Sequence, residues 1–212
     1  MAPITHISQL DLSRNYTYAD YLTWQFDEWV ELIQGKVRRM SPAPQSIHQT
    51  ISFNLTISIG GLLRGKLCRG FAAPFDVRLS KLTANGDASV QTVVQPDLCV
   101  VCDPTKIDKG GCLGAPNWII EIVSPGNTSH DTKVKFDLYE ENGVGEYWII
   151  FPGDKNIAVY VLQAGHYQLQ GEYYTPGLIP VHTLPEFSTD WDEVFENAER
   201  NYGRGVSADS KH

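Results

Sequence analysis

The chain has 212 residues, 42% hydrophobic and 20% charged, a balance that suits one globular domain with its own core. Its formal net charge of −8 weighs against broad, non-specific contact with a nucleic-acid backbone, which Lys and Arg drive. No stretch approaches the roughly 18 uninterrupted apolar residues of a membrane span, and residues 1–15 show no secretory pattern, so the cytoplasm is the expected compartment.

In chain order, 1–15 reads as a flexible arm, 16–199 as a single domain and 200–212 as a disordered tail. Tyr18, Leu22, Phe26 and Trp29 recur at helical spacing and predict a helix over 18–30. Glu31-Leu32-Ile33, Gln34-Gly35 and Lys36 to Met40 read as a hairpin, broken afterwards by Ser41-Pro42-Ala43-Pro44. Ile47, Ile51, Leu55 and Ile59 predict a helix from Ser46 to Leu63. Strands are expected over 71–79 and 93–102, with the turn signal Asn85-Gly86 between them and Pro96 marking a bend or a strand start. The loop 103–116 is rich in Gly and Lys. Trp118 to Val123 is a nearly continuous apolar run, as in a strand buried on both faces, with one glutamate inside it. Thr128 or Ser129 caps a helix to Asn142, and Gly143 stops it. Strands over 145–151, 157–162 and 167–173 follow, then a short helix over 191–198. This order predicts a mixed α/β or α+β domain built around one central sheet, with an N-terminal helix and hairpin.

The cysteines are Cys68, Cys99, Cys102 and Cys112. Cys99 and Cys102 resemble a Cys-x-x-Cys pair, but residues three apart on a strand point to opposite faces and do not share a metal. Four reduced, mostly buried thiols are expected. Arg64, Lys66 and Arg69, with Lys36, Arg38 and Arg39, suit either a local basic groove or solvated surface charge.

Three charged residues stand in costly places. Asp97 heads the run Leu98 to Val101, Glu121 lies inside an apolar strand, and Lys135 falls near the buried side of the following helix. A buried charge must be paired, hydrogen-bonded or metal-bound. If the two strands are neighbours, Asp97 and Glu121 meet at one place on the sheet. Two carboxylates with the Ile122 backbone carbonyl suit Mg2+, or Mn2+, as an oxygen-ligand set. Lys135 can then orient a water and stabilise charge on phosphorus. Asp131, Lys135 and Tyr139 lie four apart and share a helix face, whereas Lys133 lies on another. Each residue also has an ordinary reading: turn former for Asp97, a structural role for Glu121, surface pairing with Asp131 for Lys135.

The chain resembles the Uma2 family of restriction-endonuclease-like proteins, within the PD-(D/E)xK nuclease superfamily. The likeness runs from about Glu31 to Phe151. It is carried by Glu31-Leu32-Ile33-Gln34-Gly35, Met40-Ser41-Pro42 with His48, Pro96-Asp97-Leu98, Glu121-Ile122-Val123-Ser124-Pro125, the spaced Asp131, Lys135 and Tyr139, and Gly143-Val144-Gly145-Glu146-Tyr147-Trp148. The resemblance implies a restriction-endonuclease-like core, a mixed sheet flanked by helices, and a catalytic set of Asp97, Glu121 and a lysine. The superfamily's lysine two places after the glutamate is absent, since position 123 is Val. The resemblance supplies it from the helix as Lys135, and implies that Glu31, His48 and Tyr139 also line the site; read from the residues alone, Glu31 suits a hairpin surface charge equally, and His48 the capping or packing of its helix start. Nucleic acid, DNA first, is the implied substrate. The superfamily's habit of cutting duplexes with two subunits implies a homodimer, and Tyr167, Tyr173 and Tyr174 suit either its interface or the covering of the sheet.

Two further functions compete with a Mg2+-dependent endonuclease. One is a catalytically inactive binding or assembly module that keeps the fold, favoured by the acidic charge. The other is a glycoside hydrolase using Asp97 and Glu121 as acid and base, in which Lys135 has no task.

Overall fold

A computed structural model describes residues 3–40, 45–80, 86–124 and 129–199. The expected tail, the Ser41–Pro44 break, Asn85, Pro125 and the Thr128 cap lie outside the described residues, as does the side chain of Asp131.

In chain order the elements are α1 (Tyr18–Tyr21), β1 (Val30–Ile33), β2 (Lys36–Arg39), α2 (Ser46–Leu63), β3 (Arg69–Ala72), β4 (Val77–Arg78), β5 (Val93–Val94), β6 (Leu98–Val101), β7 (Ile107–Asp108), β8 (Gly111–Leu113), β9 (Trp118–Ile122), α3 (Ser129–Asn142), β10 (Glu146–Phe151), β11 (Asn156–Gln163), β12 (His166–Tyr173), β13 (Leu178–Pro180), β14 (Ser188–Asp190) and α4 (Trp191–Phe195). The strands form two six-stranded sheets rather than one, with β13 and β14 paired in a small third sheet. The central sheet runs β12-β11-β10-β9-β6-β3, and the second runs β2-β1-β5-β4-β8-β7. Only β9 and β10 pair in parallel within the central sheet, so it is mixed.

Alternation in β9 sorts its residues between two cores. Trp118, Ile120 and Ile122 face the helix α2, packing with Ile51, Leu55 and Ile59. Ile119 faces the α3 side with Leu138, Tyr139 and Tyr147. A strand covered on both faces reads as an unbroken apolar run. Glu121 shares parity with Ile119, so period-2 geometry sends its side chain toward α3.

The predicted strands over 71–79 and 93–102 are each split at a proline. β3 joins the central sheet and β4 the second sheet, with the cis Ala73–Pro74 peptide between them. Likewise β5 and β6 belong to different sheets, separated by Gln95-Pro96. Proline lacks the N–H a ladder needs, which makes both positions natural points for the chain to cross. Asp97 comes just after the second crossing.

The predicted helix over 18–30 ends at Tyr21. Thr17 and Asp20 form a reciprocal cap at its start, but Leu22 and Trp29 remain 58% and 60% exposed, so the spacing covers no common core. The chain must extend to enter β1, and Trp24 bridges to Ile4 instead. The N-terminal stretch, expected as a loose arm, lies against the second sheet: Leu10 is buried and Ile4 and Ile7 pack on its cluster.

Cys68 and Cys102 form a disulfide, which corrects the expectation of four thiols. The β3–β6 register that pairs Arg69 with Val101 brings the next residues outward, Cys68 and Cys102, face to face. Cys99 and Cys112 are free and buried. Burial pushes the Cys112 thiol up to about 11 and Cys99 higher still. Native protein at pH 8 is therefore expected to react negligibly with Ellman's reagent. Unfolding without reductant should release two reactive thiols, and unfolding with prior reduction four. Two fast thiols in the folded protein would contradict this pairing.

Gly111 opens β8 with φ +111°, and a Cβ there would lie 2.1 Å from the Asp76 carbonyl oxygen. Gly111→Ala is expected to destabilise the fold by at least about 2 kcal/mol in urea unfolding, because both the backbone conformation and the fixed carbonyl oppose a side chain.

Candidate active site

The register pairing Leu98 with Ile120 across β6 and β9 sets Asp97 opposite Glu121 at the end of the ladder. Asp97, at the head of β6, has parity with Cys99 and Val101, the residues on the α3 side. Its Oδ2 accepts a 2.7 Å hydrogen bond from the Ile122 N–H. Its Oδ1 lies 3.2 Å from Nε2 of His48, which enters from the first turn of α2 beside the buried Ile47.

Glu121 meets the helix α3. Its Oε1 takes hydrogen bonds from Lys135 Nζ at 2.9 Å and from the Tyr139 hydroxyl at 2.6 Å. The four-residue spacing of Lys135 and Tyr139 is what aims both at one oxygen. Lys135 Nζ also lies 3.1 Å from Oε1 of Glu31 in β1, an oxygen that accepts from the Gln95 N–H as well. Lys133 points elsewhere, to Asp137 at 2.8 Å on the exposed face. The sequence-predicted set of Asp97, Glu121, Lys135, Glu31, His48 and Tyr139 thus falls in two linked groups, one around Glu121 and Lys135, the other around Asp97 and His48.

Glu31, His48, Asp97, Glu121 and Lys135 line a pocket of about 480 Å3 between the β1–β2 hairpin, the start of α2 and the ends of β6 and β9, whereas Tyr139, expected to line it too, is fully buried behind Glu121. The pocket lining includes residues that the sequence did not single out for the site, among them Trp29, Gln95 and Thr132. The sequence does carry a signal for Trp29: it alternates with Glu31 and Ile33 along an extended chain, a pattern that competes with its helical spacing from Phe26.

Charge is unevenly settled here. Burial raises Glu121 toward the protonated form; Lys135 opposes this, while the Asp97 and Glu31 carboxylates add to it. Burial alone would lower Lys135, but Glu121 and Glu31 outweigh it and hold the ammonium charged. Burial pulls His48 down, yet Asp97, Glu121 and the Ile122 backbone together hold it above its ordinary value. Glu31, Asp97 and Glu121 together favour positive charge here, which Lys135 and His48 both feel.

Among the described residues no three His, Cys, Asp or Glu side chains are gathered into a metal cage. That is compatible with Mg2+, which takes one or two carboxylates and fills the rest with water and phosphate oxygens.

The family model of Uma2, described as "Putative restriction endonuclease", matches residues 18–192. The chain belongs to the Uma2 family. Its fold is shared with the crystal structure of a putative nuclease of DUF820 from Anabaena variabilis. That comparison has a TM-score of 0.66 at 22% identity, covering 86% of this chain and 99% of the other. No curated protein sequence matches. Among the described residues of this Uma2 chain, no helix is long and apolar enough to cross a membrane.

The surface candidates left open by the sequence divide in the structure. Tyr167, read as an interface aromatic, is buried and donates its hydroxyl to the Val144 carbonyl, while Tyr174 is 54% exposed. Of the basic candidates, Arg38 reaches the pocket. Lys36 donates to the Ser13 carbonyl, and Lys66 lies over the Phe187 ring. Arg39 also borders the pocket but pairs with Glu28.

Proposed function

We propose that this Uma2 protein is a Mg2+-dependent endonuclease that hydrolyses phosphodiester bonds of nucleic acid, DNA first. The observation that carries the reading is the hydrogen bond of Lys135 to Glu121, on a strand whose register sets Asp97 opposite Glu121. The description of the Uma2 family and the name of the Anabaena protein support the same activity.

Asp97, Glu121 and the Ile122 carbonyl would hold the cation, Mn2+ serving in place of Mg2+. A bound Mg2+ would polarise a phosphoryl oxygen and make a water more acidic. Lys135 positions the attacking water and counters the charge that builds on phosphorus. Tyr139 fixes the Glu121 carboxylate by its short hydrogen bond, and Glu31 holds Lys135 from the other side. His48 orients Asp97 from α2.

The test is cleavage of plasmid and single-stranded DNA by purified protein with Mg2+ or Mn2+, against an EDTA control. Metal-dependent cutting by the wild type, lost in Asp97→Asn, is expected. Equal cutting by both proteins, or none by either, would overturn the reading. The net charge of −8 favours the alternative of an inactive binding module, which predicts no cleavage under any metal.

A further inference from the structure

The pocket has a second wall, of which the catalytic set uses only Glu31. The β1–β2 register pairs Glu31 with Arg38, and the Met40 N–H donates to the Trp29 carbonyl, continuing the same pairing by one more rung on that face. Residues alternate in facing along each strand. Trp29, Glu31 and Ile33 on one side of the hairpin, and Arg38 and Met40 on the other, therefore share one face, and all five line the pocket.

On this face, Trp29 is 60% exposed, whereas Trp118, Trp148 and Trp191 are buried. A large aromatic left open at the rim of a polar pocket is the kind of exposure that marks a binding surface. Arg38 has no ion pair among the described residues, unlike Arg39, which is held by Glu28. Glu31, its cross-strand neighbour, is already engaged by Lys135 and the Gln95 N–H.

Resting on the nuclease reading above, we propose that this hairpin face is a subsite for an unpaired nucleic-acid strand, with Trp29 stacking on a base and Arg38 clamping a backbone phosphate next to the one cleaved. A stacking indole needs a base with an open face, which a single strand or a frayed end offers and the interior of a duplex does not. Asp97 and Glu121 have side chains only 20% and 12% exposed, so the cleaved phosphate must enter the pocket, and a single strand is narrow enough to do so. The acidic net charge fits the same picture: a short footprint anchored by one aromatic and one guanidinium does not need a wide basic surface.

The test is fluorescence anisotropy of a labelled oligothymidylate of about 12 nucleotides, within the usual site size for such strands, against a blunt duplex of equal length. Ca2+ replaces Mg2+ so that binding is read without cleavage. Tighter binding of the single strand by the wild type is expected, accompanied by quenching of tryptophan emission. Trp29→Ala should weaken single-strand binding about tenfold, the scale of one base–aromatic stack. Trp29→Phe should keep most of the affinity while losing most of the quench. Arg38→Ala should weaken binding and reduce the salt slope by about one ion, with Arg38→Lys restoring part of both. Duplex preference in the wild type, or single-strand affinity unchanged in Trp29→Ala, would overturn the proposal. Metal-dependent cleavage combined with duplex preference would sink the subsite alone. Single-strand binding with these mutant effects but no cleavage under any metal would sink the nuclease reading and leave the subsite as a binding site.

Discussion

Replacing Lys135 with Met should reduce cleavage about 10²–10³-fold, the cost of removing one preorganised electrostatic donor from a developing oxyanion. Met keeps the stem that packs along α3 and removes only the ammonium. The loss should fall on kcat rather than on substrate affinity, because Lys135 acts on charge that appears in the transition state. Divalent-metal binding should survive, since Asp97, Glu121 and the Ile122 carbonyl remain. The fold should survive too: burial already raises Glu121 toward protonation, so in the metal-free protein a proton can replace the lost ammonium, and a divalent cation can displace that proton. Single-turnover cleavage beside a circular-dichroism melt separates these effects. Wild-type rates in Lys135→Met would remove Lys135 from the chemistry and leave Val123 standing where the superfamily's lysine is missing.

The second large effect is expected at Asp97. Asp97→Asn preserves shape and can still accept the 2.7 Å hydrogen bond from Ile122, so the β6–β9 junction should hold. It removes a negative charge that has one other partner, His48 at 3.2 Å. Calorimetry should show weaker Mn2+ and Mg2+ binding, and cleavage should fall by at least about 10³-fold, since the metal's contribution amounts to several kcal/mol. Here, in contrast to Lys135→Met, metal affinity and rate fall together. That divergence between the two variants distinguishes a metal ligand from a water-positioning cation. Two variants with the same metal affinity would show that Asp97 has no share in holding the cation.

Much of this site is legible in the sequence because it rests on local geometry. The i, i+4 spacing of Lys135 and Tyr139 aims both at one point, and a glutamate in an unbroken apolar run must find partners; in the structure they find each other. Helix α2 is legible for the same reason, its four-residue apolar stripe being buried along its length. What depends on strand pairing is not. The passage of the chain between two sheets at Pro74 and Pro96 turns two apparent long strands into four short ones. The Cys68–Cys102 bond follows from the β3–β6 register, which no spacing in the chain announces. Trp29 is the instructive case: its helical spacing with Tyr18, Leu22 and Phe26 is coincidental, and its alternation with Glu31 is what places it on the pocket wall.

The central claim is that one divalent cation sits between Asp97 and Glu121 with Lys135 beside it. Anomalous diffraction from crystals soaked in Mn2+ tests this most directly. The expected result is a single strong peak within ligand distance of Asp97 and Glu121 carboxylate oxygens and the Ile122 carbonyl, absent in Asp97→Asn crystals. A pocket without a peak at millimolar Mn2+, or a peak unaffected by Asp97→Asn, would contradict it.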